Sequence, residues 1–323
     1  MCIRDREHAA AFLAAYPQDG LFADVSHIKA ESQLLLRQFP EALAQYDQLL
    51  ARYPDHPDAE LWKVRRGLVF HMQEKHQKTV DALAPALAKI RRPELVAEAR
   101  YLIGVSQIEL GRHKEATASL EGAVAAQAKW RQGDETLLAL ARAHGQLKDY
   151  AGARAAVNKL IVEFPQSNVL DKAHYRLGEY AYLAGDFAAA VAAYRKVATG
   201  WPQSPLAAYA LHELGCAQMD ADDNAGSEQS LSSFLQRHPD HELAPTARFS
   251  RGMARHRLGR FGPAVEDLQA FLATDPPAPE KSNARYLLGL CQMALDQHAP
   301  AIATFQALLK DEPEYQNADN ALY

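Results

Sequence analysis

Residues 171–202 read DKAHYRLGEYAYLAGDFAAAVAAYRKVATGWP, a stretch whose apolar period predicts two helices joined by a tight turn. In the first half Tyr175, Gly178 and Tyr182 recur at i, i+3 and i+7. Gly185-Asp186 then marks a turn, and Phe187, Ala190, Tyr194 and Val197 resume the same 3.6-residue period before Trp201-Pro202 ends it. Moving outward by steps of 37 residues finds the same pattern along the whole chain. A small-residue column runs Ala30, Gly67, Gly104, Ala141, Gly178, Gly215, Gly252, Gly289. A second, twelve residues later, runs Ala42, Thr79, Ala116, Ala153, Ala190, Ser227, Ala264, Ala301. Between them lies an aromatic-like column of Phe39, His76, His113, Tyr150, Phe187, Asn224, Phe261 and His298. Prolines recur at 17, 54, 165, 202, 239, 276 and 313, with Arg91 and Ala128 in the two gaps; at a background of about 5% such recurrence is not chance.

The columns have a physical reading. Small residues in the first column let the two helices of a pair approach closely, and the second small column accepts the next pair. One pair cannot bury its own apolar face, but a stack of pairs can. The rows AHYRLGEYAYLAGDFAAAVAAY, ARYLIGVSQIELGRHKEATASL and ARYLLGLCQMALDQHAPAIATF resemble tetratricopeptide repeats. That family's usual period is about 34 residues, so each row here carries about three more, placed in the turn after the proline. The resemblance implies an all-α, right-handed superhelical solenoid of antiparallel helix pairs. Eight pairs are expected at residues 23–59, 60–96, 97–133, 134–170, 171–207, 208–244, 245–281 and 282–318. Residues 1–22 read as the second helix of a truncated repeat plus a turn, and residues 319–323 as the start of a truncated ninth, so the expectation is a piece of a longer protein. The turns FPQS at Phe164 and WPQS at Trp201 resemble those of envelope-associated members, such as the accessory lipoprotein of outer-membrane β-barrel assembly and the periplasmic Tol-Pal coordinator. This implies a periplasmic or envelope address; Asp275-Pro276 and Glu312-Pro313 follow a turn style of cytosolic members and keep the cytoplasm as the alternative.

Composition narrows the function. The chain has 323 residues, with 35 Lys+Arg against 40 Asp+Glu and a net charge of -5, so no global positive field exists to hold nucleic acid. No apolar run approaches the roughly 20 residues of a membrane span. Cys2, Cys216 and Cys291 are too few and too scattered for a disulfide framework. Phosphate-cradling loops, the G-x-S-x-G elbow and H-E-x-x-H are all absent; the nearest approach, His212-Glu213, is followed by Cys216 where a second His would stand. The expectation is a non-enzyme without cofactors. Its partner is a protein or peptide.

By family resemblance the first helix of each pair lines a groove through residues six and three before the first small column and one, four and five after it. The positions so reached are Tyr101 in row three; Lys172, Tyr175, Glu179, Tyr182 and Leu183 in row five; Tyr209, His212, Cys216, Met219 and Asp220 in row six; Thr246, Phe249, Met253, His256 and Arg257 in row seven; and Asn283, Tyr286, Leu290, Met293 and Ala294 in row eight. Apart from Met1, all four methionines (Met72, Met219, Met253, Met293) fall on groove positions, and flexible thioethers suit adaptable contact surfaces. The bland alternative is that these side chains fill gaps between helices. His76, His113, His298 and His238 stand where aromatics stand elsewhere and read as packing substitutes. The family's Lys/Asn/Arg clamp for a C-terminal carboxylate is not assembled: Lys172 and Arg176 match one half, but Tyr101, Val105 and Ala139 occupy the other positions. The candidate groove residues are therefore Tyr101, Lys172, Tyr175, Arg176, Tyr182, Tyr209, His212, Met219, Phe249, Met253, His256, Tyr286 and Met293. Two alternatives stay open: a soft-metal module for zinc or copper built from His212, Cys216, Met253 and His256, and an adaptor region of a larger regulatory protein.

Overall fold

The computed structural model describes residues 2–127, 129–313 and 315. Among them every regular element is a helix. The chain divides into two compact units, Met1–Val169 and Leu170–Tyr323, where the sequence reads as one uninterrupted array. The first holds α1 Cys2–Ala15, α2 Phe22–Leu35, α3 Phe39–Arg52, α4 Ala59–Met72, α5 His76–Leu83, α6 Pro93–Glu109, α7 His113–Ala126, α8 Gly133–Gln146 and α9 Tyr150–Glu163. The second holds α10 Leu170–Leu183, α11 Phe187–Gly200, α12 Ala207–Asp220, α13 Asn224–Arg237, α14 Ala244–Arg257, α15 Phe261–Leu272, α16 Ala278–Ala294 and α17 His298–Asp311. The expected stub at 319–323 and the proline-column gap at Ala128 lie outside the described residues.

Within each hairpin one turn recurs. Residues 37, 74, 111, 148, 185, 222, 259 and 296 all adopt the left-handed conformation, with φ between 56° and 76°. The next residue's N–H reaches back to the carbonyl five earlier, as in Gln38 to Gln33 at 2.8 Å and Asp186 to Ala181 at 2.9 Å. This six-to-one bond closes the first helix and reverses the chain. The aromatic-like column is the first residue of each second helix, from Phe39 in α3 to His298 in α17. His71, Tyr182 and His256 pack against that residue of their own hairpins, His76, Phe187 and Phe261, with ring centroids 5.8, 5.4 and 5.7 Å apart. His238 lies 5.6 Å from Phe234. His298, at the start of α17, is exposed rather than packed as expected.

The two small columns do what close packing requires. A methyl group on Gly178 would come within 2.7 Å of the Tyr194 ring, and one on Gly215 within 2.6 Å of Leu231. Each such residue is a socket for the side chain sixteen positions later on the second helix. All eight residues of the second column, from Ala42 to Ala301, are fully buried.

Turns between hairpins are capped from the sequence itself. Two residues after the proline, Ser167 and Ser204 accept the N–H of Val169 and Leu206, each at 3.1 Å. Their hydroxyls donate to Asp134 at 2.5 Å and Asp171 at 2.6 Å, near the start of the preceding hairpin. His56 and His241 occupy the same position and accept from Asp58 and Leu243 through Nδ1, again at 3.1 Å. The second hairpin of the first unit departs from this plan. Pro85 follows α5 closely and cannot continue a helix, so α5 spans 8 residues where other second helices span 12 to 14. The short 3₁₀ turn Leu87–Lys89 then leads to Pro93, which starts α6.

Candidate partner-binding groove

In the second unit, Phe249, Met253 and His256 on α14 meet Tyr286 on α16 around an open cavity of about 360 Å³, completed by Arg257, Asn283, Leu287 and Tyr315. Its floor is aromatic: Phe249 stacks on Phe271 at 5.0 Å, and the Tyr286 ring lies 5.6 Å from Tyr315. Burial, with Arg257 beside it, holds the His256 imidazole below its usual range, so it is neutral near pH 7. Asn283 accepts the Tyr315 hydroxyl at 2.9 Å. Four of the residues chosen from sequence thus converge. Tyr315 was missed although a signal existed, since it stands two residues after Pro313 as His56, Ser167, Ser204 and His241 stand after theirs. Leu287 carried no such signal.

The other chosen positions of this unit are placed differently. Tyr175 leans edge-on against Tyr194 at 5.6 Å, and burial pushes its hydroxyl up to about 12. Tyr182 donates to Asp220 at 2.5 Å and Tyr209 to Glu242 at 2.6 Å, bonds that raise both phenols. These hydroxyls bind neighbouring repeats together. Lys172 is exposed; Arg176, one turn on, pairs with Glu179 at 2.7 Å. Met293 is 41% exposed, while His212 and Met219 are only 5% and 7% exposed and so lie beneath the surface they were expected to form. Burial alone would lower His212, but hydrogen bonds to Cys216 and Glu213 outweigh it and push the imidazole up to about 10. Of the four soft-metal candidates, His212 faces the Cys216 sulfur at 4.0 Å, whereas His256 packs on Phe261 and lines the cavity with Met253. No group of three or more His, Cys, Asp or Glu is placed to hold a metal ion among the described residues.

In the first unit, Tyr101 donates to Glu135 at 3.2 Å and lies 5.6 Å from the Trp130 ring; Met72 is 41% exposed. A second cavity, of about 440 Å³, opens beside Trp130. There Arg65 and Arg131 both donate to the same oxygen of buried Glu98, at 2.5 and 3.1 Å. Sequence reading passed over this cluster, although Glu98 occupies the first groove position of its row.

The tetratricopeptide repeat family model matches residues 29–89, 101–168 and 138–205, which together cover half of the chain. The chain belongs to the tetratricopeptide repeat family. A second model, the N-terminal domain of the type VII (ESX-1) secretion system protein EccA1, matches residues 230–323. Among solved structures, the C-terminal part of a tetratricopeptide repeat protein from Cytophaga hutchinsonii is similar at 14% identity with a TM-score of 0.63, over 80% of this chain and 99% of that one. A tetratricopeptide repeat protein from Parabacteroides merdae is similar at 13% identity and TM-score 0.52, over 84% of this chain and 100% of that one. PilW, a type IV pilus biogenesis factor, is similar at 16% identity and TM-score 0.53, over 71% and 99%. At these identities the likeness is one of fold. No curated protein matches the sequence. Tetratricopeptide repeats are typically interaction scaffolds, and no helix among the described residues is long and apolar enough to cross a membrane.

Proposed function

We propose that this tetratricopeptide repeat protein is a non-catalytic scaffold that takes a peptide segment or partner domain into the groove of its second unit. The observation that carries the reading is the cavity of Phe249, Met253, His256 and Tyr286, an apolar floor open to solvent with polar groups at its rim. Exposed apolar concavities rimmed by polar groups mark contact sites; aromatic side chains supply large contact area and Met adapts its shape to an occupant. The test is a crosslinking pull-down with the native chain beside a Phe249→Ala, Tyr286→Ala double variant. A partner retained by the native chain and lost by a folded variant supports the groove; equal retention by both overturns it.

We also propose an envelope address. The FPQS and WPQS turns support it, as does the shared fold with PilW, named as a type IV pilus biogenesis factor. Fractionation of the native host with an antibody to the chain decides between envelope and cytoplasm.

A further inference from the structure

The groove cavity is one-sided in its chemistry. Among the described residues no Asp or Glu lines it, and its polar rim is rich in donors. Asn283 gives its carbonyl oxygen to Tyr315, which leaves its amide NH₂ as the group it offers an occupant. Helix α14 carries Arg248, Arg251, Arg255 and Arg257 with no acidic residue. Two of these are neutralised away from the cavity: Arg251 grips Asp267 through two bonds, at 2.6 and 2.8 Å, and Arg255 pairs with both Asp267 and Glu228. Arg257 is different. It is exposed, lines the cavity, and among the described residues makes one hydrogen bond, to the carbonyl of Met219 at 3.1 Å. That leaves most of its guanidinium donors and its full charge to the cavity. The equivalent position one repeat earlier is Asp220, whose carboxylate takes the Tyr182 hydroxyl.

We infer that the occupant is a peptide segment that seats an apolar side chain on Phe249 and Tyr286 and sets an adjacent Asp or Glu side chain against Arg257. The inference rests on the groove reading above and adds the chemistry of the partner. An internal acidic residue fits better than a chain-terminal carboxylate, because Phe249 and Met253 fill the positions at which this family's terminal-carboxylate clamp has polar residues. Charge at an exposed rim sets specificity more than affinity, so the acidic neighbour selects among apolar segments.

The experiment is selection of a random-peptide phage library on the full chain, followed by binding of the enriched sequences as end-capped synthetic peptides. Enriched peptides should pair an apolar residue with an adjacent Asp or Glu, and Arg257→Gln should weaken them about threefold, as expected for an exposed ion pair. Arg257→Glu should reverse the preference toward a peptide with Lys in place of the acid. Peptides that lose binding to Phe249→Ala yet show no acidic neighbour and no response at Arg257 would overturn the inference and leave the groove standing. Peptides indifferent to Phe249→Ala, or no enrichment at all, would overturn the groove reading itself.

Discussion

At Gly178 an added methyl group would collide with the facing helix. Alanine there would place its Cβ 2.7 Å from the Tyr194 ring, which is buried. Overpacking of this kind costs roughly 1–3 kcal/mol. In the repeat of Ala141 the partner sixteen residues on is the smaller Val157, whereas Ala30 is accommodated opposite Tyr46, so the cost at Gly178 depends on how far the Tyr194 ring can shift. Gly178→Ala should therefore lower the urea midpoint, and adding Tyr194→Val should recover part of the loss; additive single effects would sink the socket account. A half-buried histidine and a buried one make an opposed pair of pH predictions. His71 is held below 6.5 by burial and by His76, so it favours the fold above pH 6.5 and opposes it as the pH falls and the unfolded chain takes up the proton. His212 is raised to about 10, so its contribution is complete below pH 6.5 and disappears as the pH rises toward 10. The stability difference between native and His71→Gln should narrow on the acid side, and that between native and His212→Gln on the alkaline side. Parallel profiles for the two variants would contradict both assignments.

At the scale of elements, the inter-hairpin turn depends on a single side chain that acts twice. Ser204 accepts the Leu206 N–H and donates to Asp171. Ser204→Ala removes the cap and the link together, with an expected loss of about 1 kcal/mol. Ser204→His should be milder, because His56 and His241 already perform the capping half of the role. Equal losses in thermal unfolding would mean that the short Asp171 hydrogen bond dominates, for which His56 offers only a 4.0 Å contact to Asp24. Proline governs the exception: Pro85 shortens α5 where the regular Pro is absent. The period, the hairpin turns and the helix starts were legible because their signals are local. A glycine, a proline and an apolar stripe act within one turn of the residue that carries them.

At the scale of the molecule, repeats stacked in line depend on their neighbours more than on distant parts of the chain. Fragments 1–169 and 170–323, which follow the two compact units, should each show helical circular dichroism and a cooperative thermal transition. An unfolded fragment 170–323 would mean that this unit is not self-sufficient.

By itself the sequence determined the all-α repeat, its 37-residue period and the family, because each rests on residue spacing that one hairpin reads out. Tertiary structure alone decided which groove candidates share a site. Phe249, Met253, His256 and Tyr286 line one cavity, His212 and Met219 lie buried, and the tyrosine hydroxyls of 182 and 209 are taken by acids 38 and 33 residues away. The physical reason is that exposure and pairing on a stacked helix depend on side chains of the next repeat. Column position places a residue on a face, and only the neighbour's packing decides whether that face stays open.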